Sequence, residues 1–430
     1  MPLLPYLVYH LLKGILLLAL PFHYPYTAVL GREYLRVKGP TLVVSNHPNT
    51  LMDPLNIVIR VNRPVFFLAN ASIFKHPLAA RLLRFLFTLP VERAQDAPGR
   101  RVHNRKNFSA VIRHLAGGGN IWIAPEGGSA RAWQLRPLKS GTARIALQAL
   151  EHLQDPQALT ILPVGLTYAT AGRPGGGLVV QAGPPIRVQA FAALYREHPR
   201  LGVRKLTEAV RAQLEPQLVH CSDAEEERRL RWADELAQSQ QPLPFVRRFH
   251  RLQLGAYRLA HWPAARRKAW ATQADALRDQ LKEAGIPPAY LADRCCWPPL
   301  FLEGMLILLG FPLALWGLLH NLLPLGIPWL VQQRLEADEE YDDTIRVLAG
   351  MLSLPLFYAL QVWLAARFLS VAGAGLYLLS LPLLAYLSWY YFRWIFERLP
   401  GRWRFRTRAS APYWRAWLET RAELLQLFRT

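Results

Sequence analysis

Acidic residues are scarce in this chain, and cysteine is close to absent. Asp and Glu number 30 against 51 Lys and Arg over 430 residues, leaving a formal charge of +21. Such an imbalance points to an anionic partner: nucleic acid, an acidic lipid surface or a phosphorylated substrate. Nucleic acid is set aside, because no zinc-finger spacing, no heptad zipper behind a basic region and no RNP-type aromatic motif occurs. Three cysteines, Cys221, Cys295 and Cys296, cannot make a disulfide framework or a four-ligand site, so no metal is expected. The glycine triplets Gly117–Gly119 and Gly175–Gly177 lack the Lys-Ser/Thr sequel of a P-loop and read as turns. No charged segment precedes the N-terminal apolar stretch and no small-residue cleavage site follows Leu20, so a signal peptide is not expected.

What the chain has instead is apolar length. Residues 1–30 read as a membrane-associated helix; Pro5, His10 and Lys13 argue for an interfacial helix or short anchor over a full crossing. Residues 31–190 alternate short β-type runs with helical stretches, the pattern of an α/β layered sheet. Strands are expected at Thr41–Ser45, Val65–Leu68, Phe85–Val91, Asn120–Ala124, Thr160–Tyr168 and Leu178–Ala182, with helices near 54–61, 76–84, 103–116 and 140–153. Residues 191–298 read as a basic helical subdomain carrying Arg247, Arg248, Arg251, Arg266, Arg267 and Lys268, either solvated or resting on anionic lipid. Residues 299–392 are a hydrophobic membrane region, and 393–430 a basic tail that belongs on the cytoplasmic side. Two crossings of roughly 20 residues each fit within 347–392. Pro312, Pro324 and Pro328 are expected to interrupt 299–331 and leave it re-entrant or interfacial.

Polar motifs fall where strands end, which is where α/β sheets place ligands. Asn46-His47 closes the first strand, and Asp53 follows a short loop later. An imidazole with a carboxylate on its other nitrogen can act as a general base near neutral pH. Then come Pro90-Val91-Glu92-Arg93, Ala124-Pro125-Glu126-Gly127-Gly128-Ser129 and Ile161-Leu162-Pro163-Val164-Gly165.

This ordered set resembles the glycerolipid acyltransferase family, which includes the glycerol-3-phosphate and 1-acylglycerol-3-phosphate O-acyltransferases. The likeness covers roughly residues 35–190 and, with the apolar C-terminal region, leans toward the family's long forms. Two departures stand out. Five residues separate His47 from Asp53 where four are usual, and Gly128-Ser129 stands where the family has T-R.

The resemblance implies a mixed α/β sheet flanked by helices. It also implies transfer of an acyl group from acyl-CoA or acyl-carrier protein to a hydroxyl of glycerol-3-phosphate or 1-acylglycerol-3-phosphate, with no cofactor. His47 would be the base and Asp53 its orienting partner. Arg93 would meet acceptor phosphate, and Lys139 either that phosphate or those of coenzyme A. Gly127 and Gly128 allow close backbone approach, and their amides suit an anion. Glu126 would either accept from glycerol hydroxyls or order nearby amides and cations. No G-x-S-x-G elbow occurs, which favours direct transfer over an acyl-enzyme. A silent lipid-binding protein of the same fold and an acyl thioesterase remain as alternatives. Membrane lipids, the acyl donor and the phosphorylated acceptor are the expected partners, with the catalytic domain on the cytoplasmic face of the membrane.

Overall fold

Runs rich in valine, isoleucine and leucine become the buried strands of one sheet. The computed structural model describes residues 3–428 apart from 71–76, 78–79, 82–84, 86, 92–103, 170–174, 241–242, 292–299, 336–337 and 401–412. Contacts divide the chain into two units, Met1–Ala224 with Asp338–Thr344, and Glu225–Ala337 with Ile345–Thr430.

Among the described residues, the first unit holds an eight-stranded mixed sheet. Its strands are β1 (Tyr26–Leu30), β2 (Thr41–Ser45), β3 (Val65–Asn70), β4 (Thr88–Val91), β5 (Asn120–Ile123), β6 (Thr160–Tyr168), β7 (Gly177–Ala182) and β8 (Ile186–Arg187). They run in the order β1-β7-β6-β2-β5-β3-β4, with β8 beside β6. β7 and β8 pair antiparallel to β6; the other pairings are parallel. β1 escaped the sequence reading, because Tyr26–Leu30 is half exposed and merges with the apolar stretch before it.

β2 lies at the centre, buried along its whole length. Side chains alternate across it. Leu42 and Val44 enter a core with Ile121 of β5 and Ile161 of β6. Helices α3 (Asn104–Ala116), α4 (Gly141–Leu150) and α6 (Pro199–Leu214) cover that face through Val111, Leu115, Ile145, Ala146, Leu206 and Val210. The domain boundary expected at residue 190 therefore falls inside this unit, since α6 completes the sheet's core. The helix near 54–61 is α2 (Met52–Val58), and α5 is Ala192–Glu197. Most of the helix expected over 76–84 lies outside the described residues.

β2 ends through its own sequence. The Asn46 side chain donates to the Leu166 carbonyl and accepts from the Leu166 amide, both at 2.8 Å. One amide side chain thus replaces a backbone rung of the sheet, and the main chain is released to turn at His47.

Helix α1 (Leu3–His23) lays Tyr9, Leu16, Leu20 and His23 against this unit. Lys13, on the same stripe, donates to the Val61 carbonyl at 2.7 Å, and the Tyr9 hydroxyl accepts from the Val65 amide at 3.1 Å. Leu4, Leu7, Leu11, Leu18 and Phe22 remain exposed.

The second unit comprises α7 (Ala224–Gln240, nearly all of it), α8 (Phe245–His261), α9 (Ala264–Glu283), α10 (Leu300–Arg334), most of α11 (Asp342–Ala365), α12 (Val371–Arg393) and α13 (Trp414–Leu424). The basic face expected here is partly spent internally. Arg248 and Arg251 turn inward to the buried carboxylate of Asp234. Cys295 and Cys296 lie outside the described residues.

α10 is one continuous helix, so its three prolines do not interrupt it. A proline leaves the carbonyl four residues before it without a donor. Pro324 orphans the His320 carbonyl, which accepts from Gln361 Nε2 at 2.8 Å. Pro328 orphans the Pro324 carbonyl, which accepts from Ser353 Oγ at 2.8 Å. Polar side chains of α11 thus complete the backbone of α10. Among the described residues, four helices, α1, α10, α11 and α12, are long and apolar enough to cross a membrane.

Truncating Asn46 should expose how much the released strand end depends on it. Asn46→Ala leaves a buried N–H and C=O of Leu166 unpaired, at a cost of about 1–3 kcal/mol each. A thermal scan of the purified chain in detergent should show a clearly lowered midpoint.

Candidate active site

Three loops meet where β2, β5 and β6 end. β2 and β5 are in parallel register up to Val44 and Ile123, so His47 and Glu126 emerge side by side. The His47 amide donates to Glu126 Oε1 at 3.1 Å, and the Ala130 amide donates to the His47 carbonyl at 3.0 Å.

The dyad is formed. His47 Nδ1 lies 2.7 Å from Asp53 Oδ2. Asp53 is fully buried, while the His47 side chain keeps 16 % exposure. Asp53 has two further donors: the Asn49 amide to Oδ2 and the Tyr168 hydroxyl to Oδ1, each at 2.8 Å. Burial pushes the Asp53 carboxyl above its usual range; the hydrogen bonds from His47, Asn49 and Tyr168 pull the other way. Burial, with the Asp53 charge beside it, also raises Tyr168 well above an ordinary phenol, so its proton stays in place as a donor. The carboxylate on Nδ1 fixes the tautomer and leaves the Nε2 lone pair as the basic site. Trp122 closes one side, edge-on to the imidazole at 5.2 Å between ring centroids, with its indole N–H on Ser45 Oγ at 2.9 Å.

Glu126 faces inward. It accepts from the His47 amide, and its other oxygen accepts from the Arg136 amide at 3.2 Å and from Arg136 Nε at 2.9 Å. Its protein contacts order two amides and a cation. Arg136 also donates to the Gly128 carbonyl. Gly127 adopts φ +77°, a conformation that favours glycine. Lys139 lies directly over it: a Cβ added at Gly127 would come within 2.7 Å of the Lys139 ammonium nitrogen. His47, Asp53, Glu126, Gly127, Gly128 and Lys139 therefore belong to one constellation. Arg93 lies outside the described residues.

Both departures from the family pattern have a physical place here. The longer His47–Asp53 loop puts Thr50 at φ +36°, an uncommon conformation for a β-branched residue. Ser129 Oγ accepts from the Thr50 amide at 3.2 Å, so the serine standing at the usual arginine position braces the extra residue.

Residues 27–167 match the family model described as Acyltransferase. The chain carries an acyltransferase domain. It is 33 % identical over 112 residues to Glycerol-3-phosphate O-acyltransferase 2 of Saccharomyces cerevisiae, covering 26 % of this chain and 15 % of that protein. Glycerol-3-phosphate O-acyltransferase 1 of the same yeast is 34 % identical over 121 residues, covering 27 % and 16 %. The matches thus span about a sixth of those relatives. The crystal structure of the 1-acyl-sn-glycerophosphate (LPA) acyltransferase PlsC from Thermotoga maritima aligns with a TM-score of 0.36 at 18 % identity, over 48 % of this chain and 80 % of that one.

Sequence reasoning missed four partners of the site: Arg136, Tyr168, Asn49 and Trp122. Asn49 sits inside the dyad loop and was open to suspicion. Tyr168 lies 115 residues from Asp53, and only the pairing of β6 with β2 brings it near.

Replacing Gly127 tests the cradle. Gly127→Ala forces a side chain into a left-handed backbone and against Lys139, and should destabilise the fold by more than about 1 kcal/mol. Chemical denaturation read by tryptophan fluorescence measures it.

Proposed function

We propose that the protein is a membrane-bound O-acyltransferase. It moves a fatty acyl group from acyl-CoA or acyl-carrier protein to a hydroxyl of glycerol-3-phosphate or 1-acylglycerol-3-phosphate, in phospholipid synthesis. The observation that carries this is the 2.7 Å contact between His47 Nδ1 and a buried, triply hydrogen-bonded Asp53. The substrate class rests on the names of the relatives and on the outward-facing cation of the site, Lys139, with Arg93 assigned by its motif.

The chemistry is direct. The acceptor hydroxyl gives its proton to His47 Nε2 as its oxygen bonds to the thioester carbonyl carbon. The carbon–sulfur bond then breaks, and the departing thiolate takes the proton back from the imidazolium. Asp53 stabilises the transient cation. Such base catalysis contributes roughly 10²–10⁴-fold.

Packing supports a membrane placement. Trp417 Nε1 of α13 donates to Gln280 of α9 at 2.8 Å, and Trp270 Nε1 of α9 donates to the Leu424 carbonyl at 3.2 Å. Chain before α10 therefore holds chain after α12, so both lie on one aqueous side. Crossings between them are even in number, although three apolar helices intervene. α11 and α12 supply the pair of crossings, and α10 packs along both through Asn321 on Leu381, Ser388 on Ala314 and Ser353 on Pro324. The basic residues on this side favour the cytoplasmic face. α1, with Lys13 tied to the sheet and its other face apolar, is assigned to the membrane interface.

His47→Ala should lower acyl transfer by at least about 10²-fold while the protein stays folded and membrane-bound. The assay is product mass from acyl-CoA with glycerol-3-phosphate or lysophosphatidate. Free fatty acid released without acceptor would identify a thioesterase, and no turnover of either kind a silent lipid binder. Asp53 carries a second expectation. Its raised carboxyl pKa means that its contribution to stability is complete below the unfolded value and is lost as pH rises through the folded one. Asp53→Asn should therefore abolish transfer yet melt no lower than the native chain at pH 7.5. For topology, a cysteine introduced at Phe368 should label only from the side opposite one introduced at Leu335.

A further inference from the structure

The strap Asp338–Thr344, which leads from α10 into the first turn of α11, is acidic and far from the dyad in sequence, yet it belongs to the sheet unit. Its anchors there fall on the dyad loop, on the loop after β5 and at the end of α1. Arg131 donates to the Glu339 carbonyl and lies 3.5 Å from Asp342 Oδ2. The Thr50 hydroxyl donates to the Glu340 carbonyl at 3.0 Å and meets the Thr344 hydroxyl at 2.8 Å. Asp343 is completely buried. Its Oδ2 accepts from Asn49 Nδ2 at 2.7 Å and from the Tyr24 hydroxyl at 3.0 Å, and its Oδ1 lies 2.9 Å from His23 Nε2. The Tyr24 hydroxyl also accepts from Asn49 Nδ2, at 3.0 Å.

Asn49 is the hinge of this arrangement. Its side chain is tied to Asp343, and its own amide donates to Asp53 Oδ2. Asp343 thus reaches Asp53 through a single residue. Thr50, in its left-handed conformation, is clamped between Ser129 on one side and Glu340 and Thr344 on the other. A backbone in that region persists only where its surroundings over-determine it.

We infer that Asp343 is a positioning residue for the His47–Asp53 dyad, and that the strap Asp338–Thr344 holds the dyad loop in its reactive geometry. Asp343 touches neither the imidazole nor the reacting atoms; it acts through Asn49. The inference rests on the acyl-transfer reading of the same site. It assigns a task to a segment some 290 residues away that no family motif reaches, and it makes the turn between two apolar helices part of the enzyme's working apparatus.

The test uses the purified full-length chain in nanodiscs, with acyl-CoA and each acceptor. Asp343→Ala should lower kcat by roughly ten- to a hundred-fold, as expected when a dyad is displaced by a fraction of an ångström to an ångström. KM for both substrates should stay within about two-fold, because binding groups are untouched. Asp343→Asn should recover most of the loss, since Asn49 and Tyr24 share one oxygen that asparagine retains. Asn49→Ala, which cuts the same tie from the other end, should reproduce the kcat loss and serves if Asp343→Ala does not fold. An unchanged kcat in Asp343→Ala or Asn49→Ala, a rise in KM alone, or equal losses for Asp343→Ala and Asp343→Asn would overturn the inference. His47→Ala run alongside separates the two readings. If it stays active, the dyad mechanism itself is wrong; if it is inactive while Asp343→Ala is not slowed, only the strap's role is wrong.

Discussion

A carboxylate sealed from water governs this site. An isolated ion in a protein interior costs several kcal/mol even after relaxation. Asp53 is made tolerable by three donors from different places: the ring of His47, the amide of Asn49 and the hydroxyl of Tyr168. The balance still leaves its carboxyl raised, so burial outweighs the three together. A group held at a cost stays put only if everything around it is fixed. That requirement explains the neighbouring detail: Asn46 locking the end of β2, Glu126 gripping the His47 amide, Tyr24 and Asn49 anchored on Asp343.

The two departures from the family pattern are one adaptation. An added residue in the His47–Asp53 loop must go somewhere, and the backbone absorbs it at Thr50. A serine at position 129 is short enough to reach the Thr50 amide. The guanidinium supply is not lost, because Arg131 and Arg136 follow closely. Arg131, however, is turned to the strap and Arg136 to Glu126. Lys139, exposed above Gly127, is then the cation of this loop that faces outward from the turn.

Much of the fold could be read from local pattern. β2 and β6 match their expected bounds to the residue: β2 is an apolar run held between Pro40 and Asn46, and β6 is a long run rich in β-branched residues despite its internal Pro163 and Gly165. β1 could not be read, since its edge position demands no apolar alternation. The dyad, Glu126, Gly127, Gly128 and Lys139 were legible as motifs. Tyr168, Arg136 and Asp343 were not, because their relevance comes from strand order and long-range packing. The prolines of α10 misled for a related reason. A proline's effect depends on whether a donor reaches the orphaned carbonyl, and Gln361 and Ser353 lie 41 and 29 residues away from their acceptors.

Those same side chains bear on the surroundings of α10. In water an orphaned carbonyl has solvent as a ready partner, and no protein donor is required. In hydrocarbon it has none, and an unsatisfied group costs several kcal/mol. Polar donors aimed at proline-freed carbonyls, on helices otherwise studded with exposed leucine, are what a lipid-facing bundle needs. Asn321 deepens the point: buried, it donates to the Gly317 and Leu381 carbonyls at 2.9 and 3.2 Å and accepts from Tyr358 at 2.6 Å. Asn321 thereby joins α10, α11 and α12. Its role is to hold three helices together, and the proposed chemistry stays with the carboxylate and imidazole where β2 ends.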